Sequence, residues 1–256
     1  LTCTFGLPKR GLLTAPGASY TGSREVIDIG IPEALVRDVE TREFLLDEQY
    51  LQGMLPPRRH DAHKGTFGHV LIIAGSPGKT GAAALAGQGA MRAGAGLVTV
   101  AVPEALNPVL ASKLTEVMTE PLPDAGTGFL GMKALPRLQE ILQGKTVVAL
   151  GPGIATRDET AGLVHRLLEQ ITVPVVVDAD GLNVLAGNTD MLKRLRAPVV
   201  VTPHPGEMAR LMGVSTQDVQ RDRIGSARAF ARHCGVFVVL KGALSIIAEP
   251  EGMVFI

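Results

Sequence analysis

The sequence predicts an α/β protein in which helices cover both faces of a mostly parallel central sheet. Short apolar runs rich in valine, isoleucine and leucine recur after residue 69. Each run ends in a glycine-rich or acidic turn, and several turns lead into segments with helical composition. Buried strands that alternate with helices are typical of parallel sheets covered on both sides.

The predicted elements follow one another regularly in this part of the chain. Strands are predicted at residues 70–74, 97–102, 146–150, 174–177, 199–201 and 236–240. Helices are predicted at residues 82–93 and 158–170 and from Glu207 onward. Residues 244–256 are predicted to form a hairpin with its turn at Pro250-Glu251-Gly252.

The first 60 residues have a different pattern, because glycine and proline divide them into short pieces. Residues 25–32 alternate in polarity and predict one strand. The run from Val39 to Leu55 carries scattered charge and predicts an irregular connection. We therefore expect a domain boundary that separates residues 1–55 from residues 56–256.

Composition excludes several functional classes. The 256 residues carry 25 basic and 25 acidic side chains, so no charge excess indicates nucleic acid or a membrane surface as a partner. Without tryptophan and with two tyrosines, the chain lacks stacking platforms for single strands. No apolar run has the length of a membrane span. Cys3 and Cys234 form neither a disulfide framework nor a metal spacing, which favours a reduced, cytoplasmic setting.

The segment from Val199 to Leu211 is the first candidate for chemistry. A buried strand ends at Pro203 and Pro205, and a helix follows, so His204 lies in a turn at the carboxyl end of a strand. Ligands of open α/β sheets bind at that edge. A capped connection with an incidental histidine explains the same residues, and the segment alone does not decide between the two.

Other strand ends offer similar alternatives. Residues 75–81 form a glycine-rich turn able to approach a bound group, although tight helix packing also explains the small residues. The spacing does not fit a P-loop, because Gly75 precedes Lys79 by only four residues. The turn Gly151-Pro152-Gly153 is uninformative alone. Asp178 and Asp180 fit a metal or hydroxyl site, or helix capping by Asp180.

Lys241-Gly242 offers a cation and free N–H groups for phosphate, or is an ordinary exposed strand end. His60 and His63 could resemble a metal pair, but no nearby carboxylate or cysteine set completes the site, so we expect no metal to be held there.

Taken together, the motifs resemble the NAD(P)H-hydrate dehydratase family, whose members have a ribokinase-like fold. The resemblance covers about residues 60–256 and rests on seven motifs in one order: residues 63–68, 75–82, 92–98, 151–153, 178–183, 202–207 and 240–242. Residues 4–9 and 28–32 resemble the tail of the NAD(P)H-hydrate epimerase domain, which precedes the dehydratase in bacterial bifunctional proteins. We assign no epimerase activity to this tail.

The resemblance implies a lyase that dehydrates the S-epimer of NAD(P)H hydrate back to NAD(P)H. The reaction uses Mg²⁺ and a nucleotide co-substrate, usually ADP in bacteria and ATP in eukaryotes. By position, the dinucleotide would be held by Ala82, Gly153, His204, Pro205, Gly206, Glu207, Met208, Ala209 and Arg210. The nucleotide phosphates would be held by Lys241, Gly242, Ala243, Leu244 and Ser245, the last of which is usually threonine in the family.

The resemblance also implies that the catalytic aspartate lies in a Thr-Gly-Asp motif beyond Ile256. We therefore expect a fragment of a dehydratase that is truncated at its C-terminus and inactive or nearly so. The start at Leu1, without a methionine, is expected to be cut rather than processed. Complete family members are expected to be homo-oligomers. The alternatives are a small-molecule kinase of the same fold acting on a vitamin-precursor alcohol, or a nucleotide-binding regulatory module. The His-Pro-Gly-Glu turn and the epimerase-like tail favour the dehydratase.

Overall fold

The computed structural model describes residues 1–55 and 57–256 and has the predicted α/β architecture. The strands are β1 (Thr2–Phe5), β2 (Arg24–Ile27), β3 (Glu43–Phe44), β4 (His69–Ile73), β5 (Leu97–Pro103), β6 (Met118–Leu122), β7 (Val147–Leu150), β8 (Val175–Val177), β9 (Val199–Val201), β10 (Phe237–Leu240), β11 (Ile246–Ala248) and β12 (Val254–Phe255). The helices are α1 (Arg10–Leu13), α2 (Ala18–Thr21), α3 (Glu33–Arg37), α4 (Glu48–Met54), α5 (Thr80–Ala93), α6 (Asn107–Lys113), α7 (Leu135–Ile141), α8 (Asp158–Leu168), α9 (Asp180–Asn183), α10 (Pro205–Met212), α11 (Thr216–Arg221) and α12 (Arg223–Cys234). Among the described helices, none combines the length and the apolar character needed to cross a membrane.

A ten-stranded sheet forms the centre of the molecule, in the order β3-β12-β11-β10-β9-β8-β7-β4-β5-β6. The seven strands from β10 to β6 in this order are parallel to their neighbours. Strand β11 is antiparallel to both β10 and β12, which confirms the predicted C-terminal hairpin. Because parallel strands end at the same edge, the loops after β4, β7, β8, β9 and β10 lie side by side.

Two apolar layers confirm that helices cover both faces of the sheet. Along β4, Leu71 and Ile73 belong to one buried cluster and Ile72 belongs to the other, as the alternation of side chains along a strand requires. The larger cluster takes buried residues from α8, α10 and α12, and the smaller one from α5 and α6.

Helix α5 packs closely on the sheet because its inner face consists of small residues. Ala83, Ala84 and Gly87 are its buried positions. A Cβ on Gly87 would lie 2.9 Å from a methyl of Val100, so glycine sets the distance between helix and sheet. Gly94 ends the helix in the left-handed conformation (φ +105°). This packing fixes the start of α5 beside the end of β4.

The predicted strands and helices after residue 69 are confirmed, with small shifts of their ends. Helix α10 begins at Pro205, two residues before the predicted start. Strand β6 and helices α6 and α7 were not predicted. The sequence of β6, Met-Thr-Glu-Pro-Leu, contains a proline, which strands tolerate at an edge, and β6 is the last strand of the sheet.

The segment before the predicted boundary differs from expectation. Strand β2 covers residues 24–27 rather than 25–32 and pairs in parallel with β1 in a separate sheet. The interpretation of residues 39–55 as an irregular connection is wrong, because they include β3 and α4. A two-residue strand is too short to show an alternating pattern. Its place depends on tertiary contacts: Phe44 stacks on Phe255 with ring centroids 5.5 Å apart. The domain boundary after residue 55 stays a prediction.

Candidate active site

Strained backbone is concentrated at the carboxyl edge of the sheet. In the described chain, four residues other than glycine have positive φ: Ala125, Ala155, Ala179 and Leu244. They lie in the loops that follow β6, β7, β8 and β10 respectively. Such conformations cost free energy and cluster at functional sites. The carboxyl edge is therefore the first place to look for a site.

The start of α5 and the loop after β7 bring Ala82 close to Gly153, two residues that the resemblance assigns to the dinucleotide. Gly153 has a φ of +68°, and a Cβ there would lie 2.9 Å from Lys79 Cβ and 3.2 Å from Ala82 Cβ. The Ser76 hydroxyl donates to the Gly153 carbonyl at 2.7 Å and fastens the two loops. Larger side chains at these positions would separate the loops.

The loops after β7 and β8 meet backbone to backbone at Gly151. Its φ is +124°, and a Cβ on it would lie 2.0 Å from the Asp178 carbonyl oxygen. A Cβ on Gly181, in the facing loop, would lie 2.9 Å from the Leu150 carbonyl oxygen. These two glycines allow the acidic segment after β8 to pack against the end of β7.

Residues 178–183 receive cationic side chains from two other loops and from helix α10. The Lys241 ammonium donates to Asp178 Oδ1 at 2.6 Å, and the Lys79 ammonium donates to Asp180 Oδ2 at 2.8 Å. Arg210 Nε donates to the Asn183 side-chain oxygen at 3.0 Å. The segment thus connects the loop before α5, helix α10 and the loop after β10. Both carboxylates carry a lysine partner.

Asp180 does not cap a helix, so that interpretation is wrong. It is the first residue of α9, which no side chain caps, and its Oδ2 also accepts the Ala155 N–H at 3.0 Å. Burial acts to raise the pKa of Asp180, but hydrogen bonds from Lys79 and Ala155 outweigh burial and hold the pKa below its ordinary value. Asp180 therefore remains ionised and holds the Ala155 turn in its positive-φ conformation.

His204 caps helix α10, as the second interpretation of this turn predicted. Its Nδ1 accepts the N–H groups of Gly206 at 3.0 Å and Glu207 at 3.3 Å. In return, the buried Glu207 carboxylate accepts the His204 N–H at 2.8 Å. Half of the histidine side chain remains exposed. Capping accounts for Nδ1, Nε2 lies 3.4 Å from Glu207 Oε1, and the exposed part of the ring faces solvent.

The rest of the turn divides into accessible and buried residues. The side chains of Met208 and Ala209 are buried in the larger core cluster, so they do not reach the edge with the other candidates. The Met208 N–H also donates within the helix, to the His204 carbonyl at 2.9 Å. Pro205, Gly206 and Arg210 remain partly or fully accessible.

Residues 241–245, between β10 and β11, form an open loop with unpaired N–H groups. The Lys241 N–H donates to the Pro203 carbonyl at 2.9 Å. Within the described residues, the N–H groups of Gly242, Ala243, Leu244 and Ser245 have no protein acceptor. Successive free N–H groups form an anion-binding concavity. The loop therefore has the chemistry of a phosphate site.

Arg223, the first residue of α12, was missed by the sequence reasoning. Its Nη1 donates to the Ala243 carbonyl at 3.1 Å, and its Nη2 donates to the carbonyls of Leu244 at 2.9 Å and Lys241 at 3.2 Å. No local pattern could have indicated this contact, because the acceptors lie about twenty residues away in another element.

His63 has a local structural role. Its Nδ1 accepts the Gly65 N–H at 3.1 Å and caps a short 3₁₀ helix, Lys64–Phe67. In the described part of the chain, no three histidine, cysteine, aspartate or glutamate side chains form a group that could hold a metal ion.

Comparison with known proteins identifies the family. The NAD(P)H-hydrate dehydratase family matches residues 70–256. The bifunctional NAD(P)H-hydrate repair enzyme of Moorella thermoacetica is 48% identical over 255 residues, which cover 100% of this chain and 48% of that protein. The chain thus spans about half the length of the curated relatives it matches.

Solved structures agree with this assignment. The ADP/ATP-dependent NAD(P)H-hydrate dehydratase of Bacillus subtilis, co-crystallised with ATP and Mg²⁺, is 30% identical, with a TM-score of 0.66 over 83% of this chain and 71% of that one. A ribokinase-like superfamily protein from Enterococcus faecalis is 21% identical, with a TM-score of 0.70 over 85% of this chain and 72% of that one, and shares the fold. The chain therefore has a ribokinase-like fold and belongs to the NAD(P)H-hydrate dehydratase family.

Proposed function

We propose that this chain contributes the active-site edge of a lyase that dehydrates the S-epimer of NAD(P)H hydrate at the expense of ADP or ATP. The observation that carries the proposal is the convergence of the family's candidate residues on one edge. Residues 178–183 are hydrogen-bonded to loops from both halves of this edge. A dinucleotide and a phosphoryl donor bound there would be neighbours.

The dinucleotide would lie on the part of the edge formed by Ala82, Gly153 and the start of α10. Ala82 and Gly153 themselves contribute no long side chain where these two segments meet, and the nearest longer side chain is that of Lys79. His204 and Arg210 would supply the polar contacts, since both are exposed and each is held by a hydrogen bond. For Met208 and Ala209 we propose a supporting role in the core rather than a contact.

The nucleotide phosphates would bind at the 241–245 loop. Its unpaired N–H groups and the Lys241 ammonium place hydrogen-bond donors and positive charge where phosphoryl oxygens gain negative charge during transfer. Ser245 is exposed and offers a hydroxyl donor in place of threonine.

Magnesium fits this arrangement through Asp178. Mg²⁺ in phosphoryl-transfer sites is bound by one or two carboxylates together with substrate phosphates and water, so a cluster of three acidic residues is not required. Asp178 Oδ1 accepts Lys241 and the Ala179 N–H, while its Oδ2 has no partner among the described residues. Asp178 would therefore hold the metal, which supplies neutralisation of phosphate charge.

In the proposed reaction, the hydroxyl oxygen of the hydrate attacks the terminal phosphorus of the nucleotide and gives its proton to a base, a role that the resemblance assigns to the aspartate beyond Ile256. The bond between that phosphorus and the bridging oxygen breaks, and the nucleotide leaves with one phosphate fewer. The phosphate ester then loses inorganic phosphate by carbon–oxygen cleavage. A proton leaves the adjacent ring carbon, and the double bond of the dihydronicotinamide is restored. One phosphoanhydride bond is consumed for each repaired ring.

The test follows the return of dihydronicotinamide absorbance and the release of inorganic phosphate. Hydrated NADH or NADPH is mixed with Mg²⁺ and ADP or ATP, and with this chain or a version extended to the length of its relatives. Recovery of absorbance with one phosphate per ring supports the proposal and names the donor. Loss of the nucleotide phosphate to another alcohol without ring recovery, or no consumption of nucleotide in either version, refutes it.

We propose a homo-oligomer acting on small molecules in the cytoplasm, with neither nucleic acid nor membrane as a partner. Light scattering of the extended version measures its mass, and a monomer would contradict the oligomer.

A further inference from the structure

The guanidinium of Arg223 lies against the inner side of the 241–245 loop. It donates to three carbonyl oxygens of this loop at 2.9–3.2 Å, those of Lys241, Ala243 and Leu244. Gly242 passes directly over the group, because a Cβ there would lie 2.4 Å from Arg223 Nη2 and 2.8 Å from Cζ. The loop is thus wrapped around a cation.

The planarity of the peptide bond turns these contacts into an orientation of the N–H groups. In a trans peptide, the carbonyl of one residue and the N–H of the next point in opposite directions. Carbonyls that face Arg223 therefore direct the N–H groups of Gly242, Leu244 and Ser245 away from it. These are among the N–H groups without a protein acceptor in the described chain. The arginine accounts for their common direction.

The charge of Arg223 is not neutralised nearby. No carboxylate of the described residues forms an ion pair with it within 4.0 Å, and its Nε is buried without a partner. The adjacent Asp222 instead accepts the Gly225 N–H at 2.8 Å. Burial lowers the pKa of Arg223, as expected of a cation that exchanges water for carbonyl dipoles. A net positive charge therefore lies behind the loop.

We propose that Arg223 is a positioning residue for the nucleotide: it holds the carbonyls of the 241–245 loop inward, so that the opposite N–H groups and its own charge favour the phosphates. This inference rests on the proposed binding of nucleotide at this loop. The N–H groups that Arg223 orients would bind the phosphates of the nucleotide and not its base or ribose.

The test compares ADP with adenosine, which lacks phosphate, by equilibrium titration of Arg223→Ala and of a control, Arg221→Ala. Arg221 is exposed and pairs with Asp218 at 3.0 Å, outside the loop. Without the arginine, we expect the loop to lose one or two charge-assisted hydrogen bonds between its N–H groups and the phosphates. Arg223→Ala should therefore bind ADP roughly ten- to a hundredfold more weakly. Adenosine binding and the control stay unchanged. Millimolar guanidinium restores ADP binding in Arg223→Ala, which a general loss of packing would not allow.

If Arg223→Ala does not fold, Arg223→Lys provides the test, because lysine keeps the charge but cannot donate to three carbonyls at once with the planar geometry of the guanidinium. Equal losses for ADP and adenosine, or unchanged ADP binding by a folded Arg223→Ala, overturn the inference alone. If the parent protein binds no ADP, the proposed nucleotide site fails and the inference falls with it. Parent binding therefore distinguishes the two failures.

Discussion

The contact between the loops after β7 and β8 predicts that Gly151→Ala is strongly destabilising. The new methyl would lie 2.0 Å from the Asp178 carbonyl oxygen and 2.8 Å from the Gly181 nitrogen. Both are backbone atoms, so no rotamer change can relieve the overlap. The same carbonyl accepts the Gly181 N–H at 2.9 Å, and the methyl would separate this pair.

The magnitude follows from two independent costs. A non-glycine residue at a φ of +124° costs about 1–3 kcal/mol. Forcing a methyl into a packed contact costs about 1–3 kcal/mol more. The sum of roughly 2–6 kcal/mol is a large part of the total stability of a domain, about 5–15 kcal/mol. At about 2–4 °C per kcal/mol for a chain of this size, the midpoint of thermal unfolding should fall by roughly 5–20 °C.

Urea unfolding followed by circular dichroism measures the loss of unfolding free energy, and thermal unfolding followed in the same way measures the fall of the midpoint. The matched control is Gly162→Ala, in helix α8, where a Cβ meets no atom within 4 Å. The unfolding free energy of this control should rise by about 0.5–1 kcal/mol, because alanine is more favourable than glycine inside a helix. If Gly151→Ala is as stable as the parent while the control behaves as expected, the argument from close backbone approach is refuted.

Three further predictions concern individual side chains. His204→Ala should lose about 1 kcal/mol of unfolding free energy with the helix cap, while His204→Asn keeps it; equal stability of all three proteins in urea would contradict the capping role. The folded-state pKa of Asp180 lies below its ordinary value of 3.8. Its ionised carboxylate therefore contributes to the free energy of unfolding above pH 3.8, and this contribution is lost as the pH falls through the folded-state pKa. The stability difference between the parent and Asp180→Asn should therefore shrink over this acid range, and a difference that does not change with pH would argue against the Lys79 pair. Burial raises the pKa of Cys234 to about 11, so at neutral pH a thiol reagent should modify only the exposed Cys3 in the native chain and both thiols after unfolding; rapid native reaction of two thiols would show that Cys234 is accessible.

Much of the candidate site could be predicted from local sequence. Apolar runs that stop at proline, glycine or aspartate place strand ends such as Thr202-Pro203 and Asp178, and parallel strands bring these ends to one edge. The capping of α10 by His204 was also one of the predicted alternatives. In contrast, helix capping, one of the two alternatives left open for Asp180, is wrong, because the short-range pattern of an acidic residue before a helix is the same for a cap and for an ion pair.

The sequence by itself determined most of the strands and helices after residue 69, the edge where the turns meet and, through seven motifs in one order, the resemblance to a family. Only the tertiary structure decided which distant groups the charged side chains of the site contact. Lys79 pairs with Asp180 across 101 positions, Lys241 pairs with Asp178 across 63, and Arg223 reaches the 241–245 loop from the start of another helix. Secondary structure follows from periodicity and turn chemistry within a few residues. The partner of a long charged side chain depends on where the sheet order places distant loops, and no local pattern encodes that distance.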